Sequence, residues 1–466
     1  MHFLEPNRRY NLRNLERSVP MSDETGGRIR LFSGAAKGAA ALLLAAPLAY
    51  SVNLGLVKHK GLPAGPYLTL ADLVAAALLV LLAVAALRGG RPRLLRMPPL
   101  PAVLLVLWCL TGPLRTDPDV PVGTAAMFKE VVQLFEYLAA GFFVFATAMH
   151  DRRTTGLMFD ALGVSLTAVA VLALVQYFDP GVSDFMVRGT FGDNSAMSAF
   201  LAVGLPLFAA SAFTAGSRFR RVWAAALAAA VFCVVLNGWL FAAAFMGMGL
   251  LFSLRGPAVG LLGTAALVAA CALAFSVLPR DNAARLWETA SIYHRDDTGM
   301  VPPDWGRKAF VVSARVRNWQ AASLAARRRP LVGYGPSAYS NAVRPEFYFD
   351  PKFPASTADP AAYDIHVDEP SSFSTYLVLL VEEGLVGLLL FLLLLGSGVR
   401  WAARAAAAGG SVGLAGSGAL GSLAAAFVAG QFTNLLDRGV AFLLAFVLAA
   451  AFVLYEYAEG FREEGR

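Results

Sequence analysis

The chain has 466 residues, of which 57% are hydrophobic and only 15% charged. Soluble domains carry about a quarter charged residues, so this composition excludes a soluble protein and points to one embedded in a membrane. The net charge of +7 would suit nucleic acid, but the basic residues sit at the ends of apolar runs, where the positive-inside rule accounts for them, and no nucleic-acid partner is expected.

The first thirty residues are polar and arginine-rich (Arg8, Arg9, Arg13, Arg17, Arg28, Arg30), without the short apolar core and small-residue cleavage site of a secretory signal. The first span is expected to act as its own insertion signal, with residues 1–35 forming a basic cytoplasmic segment against anionic lipid. Apolar runs of spanning length fall near 36–57, 67–87, 98–114, 125–148, 156–177, 195–215, 221–236, 239–254, 257–278, 378–399, 412–431 and 438–456. The expected fold is all-α, a polytopic membrane protein of about twelve transmembrane helices. A first bundle occupies 36–278 and a second 375–458, with a large outer loop over 279–374 and a tail over 459–466.

Orientation follows from the connections. With the N-terminus inside, the inner connections hold Arg88, Arg91, Arg93, Arg96, Arg152, Arg153, Arg218, Arg220, Arg221, Arg255, Arg400 and Arg404. The short outer ones hold Lys58, Lys60, Arg115, Arg188 and Arg438. The basic excess marks the inner side, so both termini are expected in the cytoplasm and the long loop outside.

Some polar groups interrupt this pattern. Lys129, Glu130 and Glu136 fall in the fourth span, where an ionisable group needs a partner or a polar cavity, and an internal pair and a cavity role fit equally. Cys109, Cys233 and Cys271 lie inside apolar runs as small buried thiols, without a disulfide or metal pattern. The glycines and alanines from Gly413 to Ala429 read as a closely packed helix.

The outer loop is too long to be a mere connection. Residues 313–329 lack breakers and place Val316, Trp319, Leu324 and neighbouring alanines on one face, which predicts an amphipathic helix ending at Pro330. Gly333-Tyr-Gly335 then requires a sharp turn, and Pro345, Pro351, Pro354, Pro360 and Pro370 mark an irregular lid. His294, Arg295, Asp296 and Asp297 read as a solvated charge cluster, since a second His for metal binding is missing. Arg188, at the outer mouth between the fifth and sixth spans, would alone be matched by a lipid headgroup. Arg315 and Arg317 on the loop helix add guanidinium at the same water interface, and guanidinium is well shaped to clasp phosphate oxygens. Gly189, Gly192 and Asn194 allow close backbone approach to such an anion, with Asn194 or Ser195 capping the next helix. Tyr334, Tyr339, Phe347, Tyr348, Phe349 and Tyr363 offer faces on which a sugar or acyl chain could stack, and suit interfacial anchors equally; Asn194, Tyr334 and Trp319 are the expected substrate contacts.

The order of Leu174-Val-Gln-Tyr177, Arg188-Gly-Thr-Phe-Gly-Asp-Asn194, Ser313-Ala-Arg315 with Trp319, Pro330-Leu-Val-Gly-Tyr-Gly335 and Glu382-Glu-Gly-Leu-Val-Gly387 resembles the O-antigen ligase and Wzy-type polymerase superfamily. The resemblance covers roughly residues 120–400. It implies a GT-C-like, metal-independent, inverting glycosyltransferase at the periplasmic face of a bacterial inner membrane. The implied donor is an undecaprenyl-diphosphate-linked glycan, with Arg188 and Arg315 on its diphosphate and no cofactor. A chain-length regulator and a flippase are the implied protein partners.

Two departures matter. The His-Asn pair usual in ligases would fall on Phe373-Ser374, so the base is sought just upstream in His366, Asp368 or Glu369, although His366 also suits an exposed loop. The usual Ser-Arg pair is replaced by Asn237-Gly-Trp239, leaving Arg317 or Arg438 to supply that anion contact. The missing His favours a polymerase of lipid-linked repeat units over a ligase to a lipid A core or other acceptor. The reading of another class is a polysaccharide or lipid transporter with Lys129, Glu130 and Glu136 along its path.

Overall fold

A computed structural model describes residues 26–48, 53–54, 68–87, 97–120, 122–149, 151–178, 189–191, 194–214, 226, 229–231, 233, 307–348, 374–436 and 438–464. Apart from a two-residue antiparallel pairing of Asn53–Leu54 (β1) with Leu68–Thr69 (β2), they form helices and their connections. The helices are α1 (Gly26–Ala45), α2 (Leu70–Leu87), α3 (Leu100–Leu110), α4 (Thr124–Leu134), α5 (Gly141–Ala148), α6 (Arg152–Phe178), α7 (Asn194–Thr214), α8 (Arg307–Arg328), α9 (Tyr339–Tyr348), α10 (Thr375–Glu382), α11 (Gly384–Ala406), α12 (Gly410–Ala429) and α13 (Arg438–Glu464).

Among the described residues six helical segments are long and apolar enough to cross a membrane: Thr124–Ala148, Arg153–Phe178, Ser195–Ala212, Gly384–Ala406, Gly410–Ala429 and Gly439–Gly460. The first three expected spans are present as shorter apolar helices, Ala36–Leu48, Ala71–Val84 and Leu100–Leu110. The spans expected near 221–236, 239–254 and 257–278 lie almost wholly outside the described residues. This is an integral membrane protein.

α13 is the hub of the bundle. Every residue from Val440 to Ala451 is 0% exposed, as expected of a helix apolar all round, and α5, α7, α11 and α12 pack against it. Phe446 meets Phe145 edge-on at 5.4 Å, and Phe442 meets Tyr137 at 5.0 Å. α12 is the closely packed small-residue helix expected, since a Cβ on its Gly418 would lie 2.6 Å from Ala210 of α7.

Two spans depart from a simple helix. The fourth runs from α4 to α5 through a π-helical turn, Phe135–Ala140, that contains Glu136. A turn of this kind accommodates an extra residue within a helix. The span expected at 378–399 is instead broken between α10 and α11, where Gly384 adopts φ +66°. What meets it there is the backbone of residues 330–335.

Candidate functional site: the junction at the mouth of the bundle

The runs Pro330-Leu-Val-Gly-Tyr-Gly335 and Glu382-Glu-Gly-Leu-Val-Gly387 bind each other through their backbones. Tyr334 N–H donates to the Val381 carbonyl at 3.0 Å, Gly335 N–H to Glu382 at 2.8 Å, and Leu385 N–H to Pro330 at 2.8 Å. The crossing point is glycine on both sides. Gly333 and Gly384 both have φ +66°, a conformation that costs other residues strain. A Cβ on Gly333 would lie 2.3 Å from the Glu382 carbonyl oxygen, and one on Gly384 would lie 2.3 Å from that of Leu331. The bonds also satisfy backbone groups left over where α10 stops and α11 starts.

Arg115, in the connection between α3 and α4, locks this crossing. Its side chain forms an ion pair with Glu383 at 2.7 Å, with the two side chains 8% and 3% exposed. It also donates to the carbonyls of Trp108 at 3.2 Å and of Val332, and its Nε donates to Thr111 Oγ1 at 3.0 Å. Its guanidinium stacks on the Trp108 ring, 4.6 Å from the centroid, and the Trp108 indole N–H donates to the Glu383 carbonyl at 3.0 Å. Arg329 adds a parallel tie, pairing with Asp117 at 3.4 Å and donating to the Arg115 carbonyl.

Glu382 faces the other way. One of its carboxyl oxygens accepts the N–H of Tyr339, the first residue of α9, at 3.0 Å, which holds that helix start against α10. Glu382 precedes the membrane-spanning α11. Burial pushes its carboxyl well above the ordinary carboxylate range and Glu130 pushes the same way, while N–H donors from Tyr339 and Ser337 pull it back. Glu130, Gln133, Pro336, Glu382, Glu383 and Asn434 are among the residues lining a cavity of about 30 Å³, enough room for water. Glu130, one of the polar groups of the fourth span, thus borders this cavity.

Two further ties gather the remaining connections. Between α6 and α7 the Gln176 side chain clamps Gly189, donating to its carbonyl at 2.9 Å and accepting its N–H at 2.8 Å. Beyond Gly189, Phe191 packs on the start of α13, where a Cβ on Gly439 would lie 2.6 Å from its ring. The connection between α12 and α13 is held to α10, because Thr375 donates its N–H to Gly430 and its hydroxyl to Thr433, both at 2.8 Å. Phe432 of that connection meets the Trp319 ring of α8 at 6.1 Å.

A protein-family model described as O-antigen ligase matches residues 185–392. This stretch belongs to the O-antigen ligase family. No curated protein matches the chain. The O-antigen ligase stretch begins four residues before Gly189 and takes in α7 to α10 and the first part of α11, so both crossed runs lie inside it. It supports a glycan-transferring activity of the ligase or polymerase type on lipid-linked glycan in a membrane.

The expected site residues divide sharply within the O-antigen ligase stretch. Arg188, His366, Asp368 and Glu369 lie outside the described residues, as do His294, Arg295, Asp296 and Asp297. Arg315 and Arg317 fall on α8, and Asn194 is the first residue of α7, where a helix start was expected. Trp319 is half-buried, one turn of α8 beyond Arg315 and against Phe432. Tyr334 is 4% exposed; the Arg329 guanidinium stacks on its ring at 5.5 Å and its hydroxyl donates to the Ala325 carbonyl at 3.4 Å. Its ring is part of the crossing, where a free stacking face was expected.

Sequence reasoning missed Arg115, Glu382 and Glu383 as a buried network. The available signal was the doubled Glu382-Glu383 beside an apolar run, where a carboxylate needs a fixed partner. The alanines of α8 were expected on one face together with Leu324. Ala321, Ala322, Ala325 and Ala326 do pack against α9 and α10, but Leu324 is 38% exposed on another side.

Proposed function

We propose that the protein polymerises undecaprenyl-diphosphate-linked oligosaccharide repeat units at the outer face of the bacterial inner membrane. An acceptor hydroxyl attacks the anomeric carbon of the donor sugar, the bond from that carbon to the diphosphate oxygen breaks, and undecaprenyl diphosphate leaves as an anion. Direct displacement inverts the anomeric centre. Arg188 and Arg315, with Arg317, stabilise the charge developing on the leaving oxygen through fixed guanidinium groups, and metal is not required. The hydroxyl proton passes to a base in the segment holding His366, Asp368 and Glu369, and Asn194 and Trp319 border the sugar.

One observation carries this reading: described residues next to the proposed anion contacts are tied to the same end of the bundle. Gly189, which follows Arg188, is clamped by Gln176, and Phe191 two residues on lies against Gly439, which follows Arg438. Trp319, one turn beyond Arg315, lies against Phe432 in the connection leading to Arg438. The family's description favours a second reading, a ligase that transfers the finished glycan to a different acceptor.

The test is purified protein given lipid-linked repeat units alone, with product length resolved on gels. Polymerase activity gives a ladder of increasing length; product only when a lipid A core or other acceptor is added establishes the ligase. Arg188→Ala and Arg315→Ala should each lower turnover on the order of a hundredfold or more without lowering thermal stability. Unchanged turnover in both would end the glycosyl-transfer mechanism.

A further inference from the structure

We infer that the end of α8 and the turn after it form a docking surface for anionic phospholipid, set in the headgroup layer beside α11. The apolar half is Leu331, 61% exposed, with Val332 at 39% and Leu114 at 87%. These side chains belong to one patch, because Arg115 donates to the Val332 carbonyl and Val386 N–H donates to that of Leu331 at 3.4 Å. Below them the exposed surface continues as Leu385, Leu389 and Leu393 along α11, at the four-residue spacing of one helix face, and as Leu107 and Leu110 on α3, which packs beside α11.

Depth follows from length. α11 has 23 residues and is about 34 Å long, slightly more than the hydrocarbon thickness of about 30 Å. Its first turn therefore lies at the hydrocarbon boundary, and Leu331, bonded to that turn, lies at the same level. Arg327 and Arg328, both exposed in the last turn of α8, then stand at the height of the phosphates. Arg329 is engaged with Asp117, so the carboxylate paired in this patch is already neutralised, and Asp119 is the exposed acid of the same connection. Two guanidinium groups above an apolar shelf that continues into lipid-facing surface match a phosphate headgroup carrying acyl chains. An acidic soluble protein would match the charge and leave the leucines in water.

The experiment uses the full chain in vesicles of phosphatidylcholine with phosphatidylglycerol. A spin label on Leu331→Cys, with unsubstituted protein as the labelling control, should be relaxed by oxygen and by lipid-borne spin. Relaxation mainly by a water-soluble nickel chelate would overturn the proposal without recourse to any charge variant. Native mass spectrometry then counts lipid retained by the wild type and by the double variant Arg327→Gln/Arg328→Gln. Retention of phosphatidylglycerol should fall roughly tenfold or more with phosphatidylcholine unchanged. Equal retention of both lipids by the two proteins would also overturn it.

Discussion

A buried arginine with one carboxylate partner sets the most demanding condition on this junction. Arg115 and Glu383 are taken out of water together, and removing either leaves the other charged and unpaired. Arg115→Ala should therefore cost about 3–5 kcal/mol of stability, read from denaturation of the purified protein. In the double variant with Glu383→Ala the loss should be smaller than the sum of the single losses; simple additivity would deny the pair. Glu382 makes the opposite demand. Its folded-state pKa lies above the ordinary 4.5, through burial first and Glu130 next, so the folded chain keeps a proton that the unfolded chain gives up above that pH. This contribution to stability is present below pH 4.5 and is lost as pH rises toward the raised folded value. Glu382→Gln keeps an oxygen to accept the Tyr339 N–H and removes the titration. The melting temperature of the wild type should fall more steeply than that of the variant from mildly acidic to neutral pH, and parallel profiles would count against the assignment.

At the scale of elements, the break between α10 and α11 is imposed from outside the helix. Gly384 can turn there, but the turn is filled by the backbone of Leu331 and Val332, so helix break and loop docking are one event. Gly384→Ala places a methyl group inside that backbone at a positive φ and should cost more than about 3 kcal/mol. Limited proteolysis after residue 328 would reveal the released loop, and an intact wild-type pattern would refute the coupling. The turn at Gly333-Tyr-Gly335 was legible from its residues alone, because two glycines around one aromatic residue leave little else for the chain to do. Its partner was not legible, since Glu382-Glu-Gly384 lies about fifty residues away and local patterning carries no signal for pairing at that distance. The face of α8 was half legible for a related reason. A count of apolar residues groups Leu324 with the alanines, whereas the close approach of α9 and α10 selects only the small side chains.

For the whole molecule, composition alone established the membrane, and the lengths of the apolar runs located the six spanning helices of the described residues, one of them shifted to Gly384–Ala406. Neither could show that connections from opposite ends of the sequence meet at one mouth. That meeting depends on side chains such as Gln176 of α6, Arg115 of the connection between α3 and α4, and Trp319 of α8, each reaching a backbone or ring of another segment. The contact of Trp319 with Phe432 is a direct tie, among the described residues, between α8 and the connection that leads into the hub helix α13. If the bundle positions α8 through this tie, Phe432→Ala should raise amide exchange in the second half of α8 about tenfold, the loss of one aromatic contact. The same substitution should leave exchange within α11 unchanged, since the crossed backbones at Gly333 and Gly384 remain intact. A rise spread evenly over both helices would mean that the mouth opens as one cooperative unit, and the separate role of the aromatic tie would fall. A rise confined to α8 would show that the loop helix can loosen while the crossing holds.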